Sequence, residues 1–167
     1  VAPEPEPSTV IGACPLTGGM SAAAGLRVIT RWGEGVAVRL FASGGFGTVA
    51  PVLPDAGHIL ASWKPALGQP LDRAAVLAAL APLPAGSKVT VWHEPDVKAI
   101  KGSETYARMT QAHTEFAAIV RADRPDLDLV GIVAGYRFAP GQDLARLDGY
   151  IDPATFDVLG VDLDGIT

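Results

Sequence analysis

Lys88-Val89-Thr90-Val91-Trp92-His93-Glu94-Pro95-Asp96 changes character halfway along. Its first half is β-branched and aromatic with no breaker, the composition of a strand. A histidine and a glutamate follow, and Pro95 stops the strand. Proline also biases the residue before it, Glu94, toward extended backbone. An acid is thereby held where a rigid strand gives way to a loop. Read plainly, it is a charged residue at a strand end. Read functionally, it stands at the kind of strand exit where parallel α/β barrels carry catalytic groups.

The surrounding chain repeats the strand-then-helix rhythm. Upstream, His58 to Lys64 is a strand stopped by Pro65. Leu71-Asp72 then opens a helix, with Asp72 as N-cap and Leu71 placed to pack on Val76. Leu77 and Leu80 continue its buried face until Pro82 and Pro84 end it. Downstream, Ser103 caps the longest helix. Tyr106, Met109, His113, Phe116 and Val120 recur along it at spacings of three and four, a single apolar stripe. Arg108, Glu115 and Arg121 fall off that stripe, and Pro125 closes the helix. His113, on the stripe, reads as a packed histidine. Leu129 to Ala134 is a further strand, leading into Gly135-Tyr136-Arg137-Phe138. A short helix near Asp143 to Leu147 precedes a strand over Phe156 to Asp162. Nearer the start, Val10 to Cys14 and Val36 to Phe41 are strands, the second ending in Arg39-Leu40-Phe41. Between them Ser21 caps a helix from Ala22 to Trp32.

The expected fold is therefore α/β with six strand candidates, their cores apolar on both faces, as in a parallel sheet covered by helices. A doubly wound open sheet and a (β/α)8 barrel both fit. No glycine-rich phosphate loop follows the first strand, so a dinucleotide site is poorly supported. Polar residues recur at the strand exits: Arg39, Lys64, His93, Glu94, Tyr136, Arg137, Asp162 and Asp164. In a parallel sheet these share one end of the molecule, which favours the barrel, here an apparently incomplete one.

Composition narrows the function classes. The 167 residues suggest one domain, 10–167, behind a Pro/Glu-rich opening, 1–9, that reads as a linker or processed terminus. Hydrophobic residues make up 49%, enough for a packed core. No apolar run reaches the ~18 residues of a membrane span. The net charge of −5 and the lack of a basic run argue against nucleic acid. Cys14 stands alone, so there is no internal disulfide and no thiolate-rich metal site; it reads as a small buried residue. His58, His93 and His113 show no metal-site spacing, and no cofactor is expected.

Trp92-His93-Glu94-Pro95 at the end of the fourth strand resembles the acid/base strand of the large (β/α)8 clan of retaining glycoside hydrolases, which typically carries Asn-Glu-Pro there. A histidine before the glutamate is more like glycoside hydrolase family 26, the β-mannanase group. Arg39 matches a position where the clan often has arginine. Phe156 to Asp162 is similar to the sixth strand of actinobacterial members and of related modules in phage tail proteins. The resemblance spans roughly Val10 to Thr167. It implies Glu94 as general acid/base and His93 as a hydrogen-bonding partner of substrate or nucleophile. It gives Arg39 the task of keeping the nucleophile ionised. Trp63, Trp92 and Tyr136 are candidates to stack on sugar rings, whose C–H faces are apolar; for both tryptophans core packing is the favoured reading.

One departure matters. The family's nucleophile is a glutamate on the seventh strand, and nothing after Glu94 matches it. Retaining chemistry needs a second carboxylate roughly 5–5.5 Å from the first, and inverting chemistry roughly 6.5–9.5 Å. Asp162 and Asp164 are the partners within reach, and an Asp162–Glu94 pair suits the inverting geometry. Otherwise the last strands come from sequence beyond Thr167 or from another chain or domain that completes the barrel. Two functions follow. One is a secreted or extracellular hydrolase of a β-linked polysaccharide. The other is a non-catalytic carbohydrate-binding or structural module on the same scaffold, such as a piece of a phage tail in a virion.

Overall fold

The computed structural model describes residues 11–13, 36–43, 45–47, 59–93, 103–134, 152 and 154–162. They form an α/β unit built on parallel strands. The strands are β1 (Ile11–Ala13), β2 (Val36–Ser43), β3 (Ile59–Lys64), β4 (Lys88–Val91), β5 (Asp128–Ala134) and β6 (Val158–Asp162). The helices are α1 (Arg73–Leu80) and α2 (Ser103–Asp123). The expected helices at Ala22–Trp32 and Asp143–Leu147 lie outside the described residues.

Spatial order follows chain order, β1-β2-β3-β4-β5-β6, and every pairing is parallel. A doubly wound sheet reverses its strand order at a switch point. Among the described strands there is no such reversal.

Strands β3, β4 and β5 are buried on both sides. Ile59, Ala61 and Trp63 of β3 join Val89 and Val91 of β4 and Leu129 of β5 in one row. That row packs against Val76, Ala79 and Leu80 of α1 and Phe116, Ala117 and Val120 of α2. Side chains alternate along a strand, so Ser62, Thr90, Val130 and Ile132 belong to the opposite row. They are only 0%, 1%, 3% and 6% exposed, so the side away from the helices is covered as well. This is the two-sided burial expected of parallel strands.

Local chemistry explains the helix bounds. Asp72 is extended, and its carboxylate accepts from the amides of Ala74 and Ala75, satisfying two donors that the first turn leaves open. Leu71 packs on the core that contains Val76. Asp72→Ala is expected to cost about 1 kcal/mol, read as a lower urea midpoint at unchanged slope; an unchanged midpoint would contradict the capping role. At the other end of α1, Arg124 spans the gap to α2. Its guanidinium donates to the carbonyls of Leu80 at 2.5 Å and Leu83 at 2.8 Å while gripping Asp126. That grip holds the Asp126 carboxyl below the usual carboxylate range.

Among the strand ends that differ from the sequence reading, two stand out. β2 continues past Phe41 to Ser43, because its ladder with β3 runs out to the Ser43–Lys64 pair. The chain enters β6 only at Val158. Phe156 and Asp157 serve the approach instead: the Asp157 carboxylate accepts from the Leu129 amide at 2.8 Å. The Phe156 ring lies over Gly131, where a Cβ would sit 3.0 Å from it.

Candidate functional site

With every strand parallel, all the strand exits lie along one edge of the sheet. The described site on that edge is the end of β4. The Trp92 amide donates to the Trp63 carbonyl at 2.8 Å, extending the β3–β4 ladder one residue past Val91. The backbone then turns. Trp92 has φ 52°, the left-handed region, where a bulky side chain is a rare and strained occupant. Such a residue costs on the order of 1–3 kcal/mol and persists only where its surroundings enforce it.

The turn decides which side chain faces where. Simple alternation would put Trp92 in the row of Thr90, and His93 in the row of Val91, against the helices. The structure reverses this. Trp92 is half-buried against the helix-side core. His93 comes to the other face, where its Nδ1 is hydrogen-bonded to Ser62 Oγ. Both partners are buried. The Trp92 indole Nε1 is enclosed and has no hydrogen-bond partner among the described residues.

A second histidine supports the same turn from the helix side. His113 Nε2 donates to the Val91 carbonyl at 2.8 Å, and its ring meets Phe156 edge-on with centroids 5.1 Å apart. Gly131 makes room for that phenylalanine. His113 thus ties α2 to the last residue of β4 and to the approach to β6. Burial pushes its pKa below the ordinary 6.5, against the opposing pull of the Val91 and Trp92 carbonyls. The unfolded chain therefore takes up a proton near pH 6.5 while the folded one does not. Stability from this group is full above that pH and falls as pH drops through the window below it. The melting temperature is expected to decline from pH 7.5 toward pH 5, with a shallower decline in His113→Gln. Equal slopes in the two proteins would show that His113 does not carry the effect.

The other expected site residues are placed as follows. Trp63 is wholly buried, with Phe46 and Phe116 around it and its Nε1 donating to the Gly47 carbonyl at 3.0 Å. It is a core residue, with no ring face exposed to a sugar. Arg39 does not end β2: it pairs in register with Leu60 near the start of β3, four residues before the Ser43–Lys64 level. That is about 13 Å of strand. Asp162 closes β6, in register with Ala134. Counting along the strands, Val91, the last residue of β4, falls level with Gly131, three residues short of that position. Glu94, Tyr136, Arg137 and Asp164 lie outside the described residues.

Sequence reasoning passed over Ser62. The only signal was a small polar residue between Ala61 and Trp63 in an apolar strand, and its pairing with Thr90 emerges only once the register is known. Among the described residues, no group of three His, Cys, Asp or Glu side chains could hold a metal ion. No helix among them is long and apolar enough to cross a membrane. Comparison with protein-family models, with curated proteins and with solved structures finds no match to this chain.

Proposed function

We propose that the chain forms the first six βα units of a (β/α)8 barrel, and that it hydrolyses a β-linked polysaccharide with Glu94 as general acid/base. The observation that carries this reading is the end of β4. There a strained turn at Trp92 delivers His93 to the face away from the helices, immediately before Glu94.

The strand order supports the barrel. Parallel crossovers are right-handed, so strands laid down in chain order place all their helices on one side. The opposite row, Ser62, Thr90, Val130 and Ile132, is nevertheless buried. A sheet that curls until this row lines its own interior accounts for that burial, and the two further units of a full barrel would cover its open edges.

Asp162 is the second carboxylate of the proposal. β4 and β6 are two strands apart in the sheet, about 10 Å between backbones. A pair of side chains spanning that gap suits the wider carboxylate separation of an inverting enzyme. A glutamate supplied beyond Thr167 would suit retention instead. His93 binds substrate or nucleophile in either case. Polysaccharide is the proposed partner, and the proposed location is extracellular.

The test is release of reducing ends from soluble β-mannan by the purified protein, with the anomer of the fresh product read by proton NMR. Release supports the reading, and inversion assigns the second role to Asp162. Binding of mannan without release would favour the non-catalytic module.

A further inference from the structure

β4 and β5 pair at Lys88–Asp128 and Val89–Leu129, and no later pair joins them among the described residues. Val91 is nevertheless wholly buried, and a buried carbonyl left without a donor is costly. The donor for the Val91 carbonyl comes from a helix instead of a strand: His113 Nε2 of α2, at 2.8 Å. A carbonyl can only accept, so Nε2 carries the ring proton. Phe156 holds the ring from the side, edge-on with centroids 5.1 Å apart, and Gly131 leaves Phe156 its place.

The Val91 carbonyl and the Trp92 amide belong to one planar peptide group. That amide donates to the Trp63 carbonyl at 2.8 Å. The group is therefore held at both ends, by β3 through its N–H and by α2 through its C=O. Its orientation sets φ of Trp92. A half-turn of the plane would change ψ of Val91 and φ of Trp92 together. It would take Trp92 from φ 52° to ordinary extended backbone. The strain of a left-handed tryptophan favours that half-turn, and the two hydrogen bonds oppose it.

We infer that His113 is a positioning residue for the end of β4: it clamps the Val91–Trp92 peptide group against reversal and so fixes the direction in which the chain delivers His93 and Glu94. The catalytic consequence rests on the hydrolase reading; the clamp does not.

The experiment follows amide hydrogen exchange by nitrogen-15 NMR in the native protein, His113→Leu and His113→Gln. Leucine fills the place of the ring without a donor, and glutamine restores an N–H. In His113→Leu the Trp92 amide is expected to lose about tenfold in protection, the scale of one hydrogen bond. That loss comes on top of any shared by Thr90 in β4 and Phe116 in α2. His113→Gln is expected to keep the protection. In parallel, kcat on β-mannan is expected to fall about a hundredfold in His113→Leu, the scale of a misplaced catalytic group, and to recover in His113→Gln. The native protein supplies a second measurement: ring proton–nitrogen correlations at neutral pH are expected to show His113 as the Nε2–H tautomer. An Nδ1–H tautomer, an unchanged Trp92 amide, equal losses at Trp92, Thr90 and Phe116, or a selective loss with unchanged kcat would each overturn the inference. A selective loss at Trp92 in a protein that leaves mannan intact upholds the clamp and removes the hydrolase reading.

Discussion

Trp63→Ala is expected to lower the free energy of unfolding by about 3–5 kcal/mol. Trp63 is the largest wholly buried side chain described, and its ring centroid lies 5.9 Å from that of Phe46 and 6.1 Å from that of Phe116. Those two rings come from different parts of the chain, the segment after β2 and helix α2. Truncation opens a cavity between β3, α2 and the Gly47 segment that rigid strand backbone cannot close. It also removes the donor to the Gly47 carbonyl. Domains of this kind are stable by about 5–15 kcal/mol in total, so the loss is a large fraction of the whole. Trp63→Phe keeps a ring and gives up the hydrogen bond, and is expected to cost markedly less. Urea unfolding followed by far-ultraviolet circular dichroism measures both. A loss below about 1 kcal/mol for the alanine variant would show that the aromatic cluster is not the centre of the core, since truncating a packed tryptophan does not come so cheaply.

Glu94→Gln is expected to reduce the rate of mannan hydrolysis by about 10²–10⁴-fold, the usual contribution of a positioned general acid. A sugar alkoxide is a poor leaving group, so cleavage needs a proton delivered to the glycosidic oxygen as the bond breaks. Glutamine has nearly the same shape as glutamic acid but cannot give up that proton. The fold is expected to be untouched, with the same melting temperature within the scatter of a surface substitution. Nearly full activity in this variant would remove Glu94 from the mechanism.

How far the sequence revealed these features depends on whether they are local. Asp72 as a cap and the stripe of Met109, His113, Phe116 and Val120 are set within a few residues of each other, and the structure places all of them as read. The alternation of strands and helices gave the parallel sheet. Strand ends were less legible. Ala42 and Ser43 are weak strand formers, yet β3 holds them in the ladder; Arg39 therefore lies well inside β2 rather than at its exit. Phe156 and Asp157 look like strand residues and are used as packing and capping groups before β6.

At the site the least legible feature is the turn at Trp92. Propensity disfavours a tryptophan in the left-handed region, and only tertiary packing selects it there. The turn sends Trp92 toward the core and His93 toward Ser62, which are non-local outcomes. Trp63 was legible as a core residue, but its partners were not, because Phe46 and Phe116 are 17 and 53 positions away in the chain.

The most direct measurement is kcat/KM for the native protein and Glu94→Gln on two β-mannosides, one with a sugar leaving group and one with a dinitrophenyl group that departs without a proton. Glu94 as the acid predicts a large loss on the first substrate and little on the second. Equal losses on both, or no loss on either, would contradict an acid at the end of β4.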